Sequence, residues 1–229
     1  MSTNSFLAKA LRFIGIVLMG LTAGFTLLGG IGTSCAAFFP AKFGSMAVLA
    51  TLQWLYILFV LIGIVLGVLG ILTTIKLVKG AKNAYRDALI VLVAGVVVGA
   101  IHILVSRELR GKSMPVDAVV YTTVLTLILF LIFRIPAIWQ GVDFTKGSAK
   151  SNQSAGGMVS IVLGLLTLTI QYTMGSTHTW GGVNYADAFN FWMTVAGAAC
   201  LIFGVRVWLM SMRLPERVDT LVAASSSGG

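Results

Sequence analysis

Charge is what this chain has least of. Lys and Arg together number 16 and Asp and Glu only 7 in 229 residues, a charged fraction of 10%. A water-soluble domain carries about a quarter charged residues, so too little polar surface exists here to cover a soluble body. Acids are scarcest, and none falls in the middle of an apolar run. A proton relay or cation-coupled site inside a membrane needs a carboxylate there. Histidine occurs twice, at His102 and His178, and no H-E-x-x-H, Walker A or G-x-S-x-G pattern exists. The two cysteines, Cys35 and Cys200, fall in an outer loop and in the middle of the last apolar run. That difference in depth argues against a bridge, which needs Cα atoms within about 7 Å. No catalytic residue, no metal site and no resident cofactor is expected, and an enzyme has no residue pattern to support it.

What the chain has in excess is apolar sequence: 58% hydrophobic residues and a mean hydropathy of +0.98. Several runs reach the roughly 20 residues that cross a hydrocarbon core about 30 Å thick. Backbone groups in that core must be satisfied internally, so spans are helices or a closed barrel. Barrel strands alternate apolar and polar residues, whereas these runs are continuously apolar. The expected fold is therefore an all-α integral membrane protein, a bundle of about six transmembrane helices in one domain, 1–212. The spans fall at about 11–31, 55–75, 88–105, 116–133, 158–174 and 191–209. Between them, 46–53 extends above the membrane or lies along it, 107–115 forms a charged turn, and 146–157 forms a polar linker. A cytoplasmic tail, 213–229, in which Pro215 breaks the helix, is expected to be disordered at its end. The first span is too long for the apolar core of a signal peptide and lacks a clean cleavage site after it.

Orientation follows from the basic residues near helix ends. Twelve Lys and Arg fall on the side of the N-terminus and four (Lys42, Arg107, Arg110, Lys112) on the other. Both termini are thus expected in the cytoplasm, with the protein in a bacterial inner membrane or one that obeys the same rule. The aromatic belt agrees: Trp54, Trp180 and Trp192 fall outside, and Tyr85, Trp139 and Trp208 inside. The net charge of +9 then marks cytoplasmic loops facing anionic lipid. Nucleic acid is not expected as a partner, because no basic stripe interleaves with aromatics.

Three spans carry G-x-x-x-G: Gly20 with Gly24, Gly63 with Gly67, and Gly95 with Gly99. Glycines four apart stack on one helix face and let another backbone approach. The bland reading is packing inside the bundle; the sharper one is contact with another subunit or a second copy. Polar residues in the spans concentrate toward the outer half. His102, Gln171, Asn190, Thr126 and Gln53 are the candidate ligand-binding residues, in a pocket that would open outward and take an amphiphile such as a quinone or lipid, or a small solute. The competing reading is hydrogen bonding between helices, each bond contributing about 1 kcal/mol or less. Haem is disfavoured, because His178 is a loop residue and no C-x-x-C-H motif exists. Two functional classes fit. One is a non-catalytic integral subunit or scaffold of a larger membrane complex, with the bilayer and other membrane subunits or self-association as partners. The other is a solute-binding transporter component, or a quinone- or lipid-binding subunit using the outer polar pocket.

Overall fold

A computed structural model describes residues 2–3, 5–42, 44–174, 179–180, 182–184, 187 and 189–214. Six of its helices are long and apolar enough to cross a membrane. We label the helices in chain order: α1 (Phe6–Phe38), α2 (Gln53–Val78), α3 (Ala84–Arg110), α4 (Val116–Phe133), α5 (Pro136–Val142), α6 (Ala149–Met174) and α7 (Asn190–Arg213). All but the short α5 are candidate spans, and a two-stranded hairpin (Thr179–Trp180 with Val183–Asn184) precedes α7.

Local chemistry sets several boundaries. Ser5 starts α1 by accepting the Ala8 amide at 3.2 Å, satisfying one of the helix's orphan donors. Gly111, with φ +68°, ends α3 in the left-handed conformation that glycine adopts without steric cost. The turn that follows is tied by Arg107 donating to Asp117 at 3.1 Å and by Ser113 donating to the same carboxylate at 2.8 Å. Gly80, with φ +66°, serves the turn between α2 and α3.

Helix α1 is the axle of the bundle, touching α2, α4 and α6, while α3 bridges α2 and α4. Close approach depends on glycine. A Cβ on Gly67 would meet the Leu27 backbone at 2.7 Å, and one on Gly20 would meet Val159 at 2.5 Å. Gly24 faces Leu163 of α6, Gly99 faces Val120 of α4, and Gly95 faces Thr123 of α4 at 3.3 Å. Gly63 is looser, with Gly30 Cα at 3.7 Å. All three G-x-x-x-G pairs thus lie against neighbouring helices of the same chain.

The main hydrophobic core sits at the end of the bundle that holds the N-terminus of α1. Ile16, Met19, Leu77, Leu92, Phe130, Phe133, Val142 and Phe144 are all buried there. Two of them, Val142 and Phe144, come from the segment between α4 and α6, 134–148. It folds back as α5 and a single 3₁₀ turn, Phe144–Lys146, against the end of the bundle. Pro136 at the first turn of α5 suits that start, and Phe144 stacks 6.0 Å from Phe130.

Two further boundaries differ from expectation. Segment 146–157 is not a linker, because α6 begins at Ala149. Asn152 and Ala155 are buried, and a Cβ on Gly157 would meet Gly204 O and Trp208 N at 2.9 Å. Small side chains pack there whatever their polarity, so hydropathy alone places the start too late. Segment 46–53, expected to extend above the membrane or lie along it, takes a defined fold. It forms most of a 3₁₀ helix, Gly44–Leu52, which touches α2, α3 and the end of α1 and buries Leu49.

Candidate functional site

The end of the bundle where α1 finishes and α2 begins holds a group of polar and aromatic side chains apart from the main core. Tyr56 and Phe59 lie three residues apart on α2, and His102, Ser106 and Arg110 recur every fourth residue on α3. Spacings of three and four put side chains on one helix face, so an aromatic face of α2 meets a polar face of α3. The His102 imidazole stacks on Phe59 with ring centroids 4.4 Å apart and planes 16° from parallel. Tyr56 meets the same imidazole edge-on at 5.4 Å. The Tyr56 and Ser106 hydroxyls share a buried hydrogen bond of 2.9 Å. Leu49 of the 3₁₀ helix, with Val60, Val105 and Leu109, supplies the apolar surround.

Two groups here are not satisfied by the protein. The ring nitrogens of His102 bond to no described residue. Arg110 is half-buried, its Nε is buried without a hydrogen-bond partner, and it makes no ion pair among the described residues. Its neighbour Arg107 differs, being paired with Asp117.

Of the five residues expected to form a pocket, the four whose side chains are described make no hydrogen bond to one another. Gln53 donates from Nε2 to the Phe38 and Ala37 carbonyls at 3.0 and 3.2 Å, closing the end of α1. Thr126 is fully buried and shares a 2.8 Å hydrogen bond with Thr22, joining α4 to α1. Asn190 accepts from Thr194 at 3.2 Å within α7, and α7 packs chiefly on α6, far round the bundle from α3. The side chain of Gln171, and all of His178, lie outside the described residues. His102 belongs to this polar and aromatic group, with Tyr56, Phe59, Ser106 and Arg110; Gln53 lies at the same end, one turn before Tyr56, bonded to the end of α1. In the sequence Arg110 falls in the expected charged turn 107–115, and Tyr56 lies two residues from Trp54 of the interface belt. The recurrence of polar residues at every fourth position, His102, Ser106 and Arg110, was the available signal.

At mid-depth a small cavity of about 10 Å³ lies between Thr22, Thr26, Leu66, Gly95 and Thr123. That is room for about one water molecule. Thr26 and Thr123 donate to the carbonyls of Thr22 and Val119, the usual way a hydroxyl is carried in a membrane helix.

Arg12 is the largest surprise at the opposite end. It reads in the sequence as a flanking charge, yet it is 1% exposed. Its guanidinium donates to Gly141 O at 3.0 Å and Thr3 O at 2.8 Å. Gly141 sits in the last turn of α5, where carbonyls lack intrahelical partners, so Arg12 pins the folded-back connection to α1. Its Nε has no partner. Both cysteines are free thiols, and no group of three metal-ligating side chains occurs among the described residues. Comparison with protein families, curated proteins and solved structures returns no match to this chain.

Proposed function

We propose that this protein is a non-catalytic integral subunit or scaffold of a larger membrane protein complex, inserted with both termini in the cytoplasm. The observation that carries the reading is the placement of α7. It packs on α6 and on no other helix to a comparable extent. That contact is built for permanence. Gly157 and Gly164 of α6 face Gly204 and Gly197 of α7, with a Cβ on Gly164 meeting Gly197 O at 2.8 Å. Ser160 adds a 2.8 Å hydrogen bond to the Cys200 carbonyl. The rest of α7 is broad and apolar, with Phe191, Trp192, Ile202 and Phe203 all more than 60% exposed. A helix held rigidly on one side and open on the other is the arrangement an added subunit would complete.

The interior supports the same reading. The intramembrane hydroxyls are spent on helix-to-helix and within-helix bonds, as Thr22 with Thr126 and Tyr56 with Ser106 illustrate. The glycine faces pack inside the chain, so contact with a partner falls to apolar surface. The twelve-to-four distribution of basic residues supports insertion with the N-terminus inside, in a bacterial inner membrane or its equivalent.

Site-specific photocrosslinking in the native membrane tests this. A photoreactive residue in place of Ile202 on α7 gives a discrete adduct with one other protein chain, and one in place of Ile90, exposed on α3, does not. Lipid adducts alone at both positions would contradict the subunit reading.

A further inference from the structure

The side of α7 turned away from α6 has a shape and a charge as well as an apolar character. A groove of about 700 Å³ runs along the half of α7 that ends at Arg213. Its walls are two ridges of side chains spaced four residues apart. Ile202, Arg206 and Met210 form one, and Val205, Leu209 and Arg213 form the other. A second helix packs a ridge of its own between ridges of that spacing. The four apolar residues are between 42% and 70% exposed. Arg206 is exposed among them and makes no ion pair among the described residues. Neither α6 nor α7 carries an Asp or Glu. Arg206 lies seven residues before the helix end at Arg213, about 10 Å along the axis at 1.5 Å per residue. A guanidinium at that depth is costly in hydrocarbon unless it is paired or reaches an interface.

We propose that this groove receives a membrane-spanning helix of a different protein, and that the incoming helix places an Asp or Glu against Arg206. The inference rests on the subunit reading and specifies the partner's chemistry. A guanidinium takes a carboxylate in two parallel hydrogen bonds, so the pair offsets the cost of the charge and fixes the depth at which the helices meet. The partner's acid is flanked by apolar residues, matching Ile202 and Met210 about one turn to either side of Arg206. A second copy of this chain fits poorly. A two-fold axis along α7 sets Arg206 against Arg206 and Arg213 against Arg213 at like depths, and the helix has no acid to separate them. Lipid phosphate is the other anion within reach of the side chain. Arg213, at the helix end, already stands nearer the headgroups, whereas Arg206 lies deeper between apolar residues.

The test uses Arg206→Lys in native membranes treated with a membrane-permeant carbodiimide. The reagent joins an amine to a neighbouring carboxylate as an amide and takes up the water lost. Peptide mapping should show position 206 linked to an Asp or Glu in an apolar segment of one other protein, a link the wild-type chain does not form. A photoreactive residue in place of Ile202, one turn away on the same ridge, reads the contact independently. Its protein adduct should persist in Arg206→Lys and fall about tenfold or more in Arg206→Glu, where two carboxylates face each other. Because Arg206 is exposed, neither substitution disturbs packing within the chain. An adduct at Ile202 that survives Arg206→Glu overturns the inference while the subunit reading stands, as does carbodiimide linkage at position 206 to lipid only. Lipid adducts alone at Ile202 in the chain with Arg206 intact overturn both.

Discussion

Arg12 shows how little a residue's type says about its burial in this fold. A guanidinium with two carbonyl partners, and no carboxylate in hydrogen-bond contact among the described residues, fixes α5 against α1 at the end that holds the N-terminus of α1. Hydrogen bonds to charged groups contribute about 1.5–3 kcal/mol each, partly offset here by the cost of dehydrating the charge. Arg12→Ala is expected to lower stability by about 1–3 kcal/mol, read as an earlier unfolding transition in detergent. A transition equal to that of the wild-type protein would show that the α5 anchor contributes nothing. Neither this contact nor the one between His102 and Phe59 was legible in the sequence at the level of partners. Both join positions far apart in the chain, and apolar periodicity reports on which face is buried, not on what it meets. His102 itself was legible, because an imidazole in an apolar run is costly wherever it points. Gln53 and Asn190 were legible as polar but not in their partners: one closes the end of α1 and the other bonds within α7.

At the scale of the helix, glycine decides which contacts can form. The two members of one G-x-x-x-G on α2 are not equivalent. A methyl group at Gly63 would sit 3.7 Å from Gly30 Cα, in ordinary contact, whereas one at Gly67 would strike the Leu27 backbone at 2.7 Å. Gly67→Ala is expected to cost about 1–3 kcal/mol through overpacking, while Gly63→Ala is neutral or gains up to about 1 kcal/mol from helix propensity. Thermal unfolding of the two variants side by side checks the ordering, and equal effects would refute it. The positions of the six long helices were readable because apolar runs of that length have few other uses. Their ends were harder. Helix α6 starts among Ser, Asn and Gly, where tight packing against Val78 and Trp208 replaces hydropathy as the cause of burial. The 3₁₀ helix Gly44–Leu52 and α5 were missed for a related reason: both are short, and tertiary contact rather than length holds them in place.

Over the whole molecule, charge sets orientation and packing sets what is left for a partner. Lys82 and Lys112 are both exposed, in the turns at opposite ends of α3. In a Cys35→Ser background, Lys112→Cys is expected to react with a membrane-impermeant maleimide added to intact cells, and Lys82→Cys only after the membrane is opened. The reverse pattern would invert the proposed topology. The molecule divides unevenly: α1 to α4 and α6 bury one another around α1, and α7 hangs on α6 with most of its apolar surface unshared. That asymmetry is the basis for assigning a subunit role. Its most direct test is native mass spectrometry of the tagged chain released gently from its own membranes. The account predicts a reproducible complex in which this chain is present in fixed stoichiometry with at least one different membrane protein, lost when the exposed face of α7 carries Ile202→Arg. A lone chain or homo-oligomer holding a defined small molecule, unaffected by that change, would contradict it.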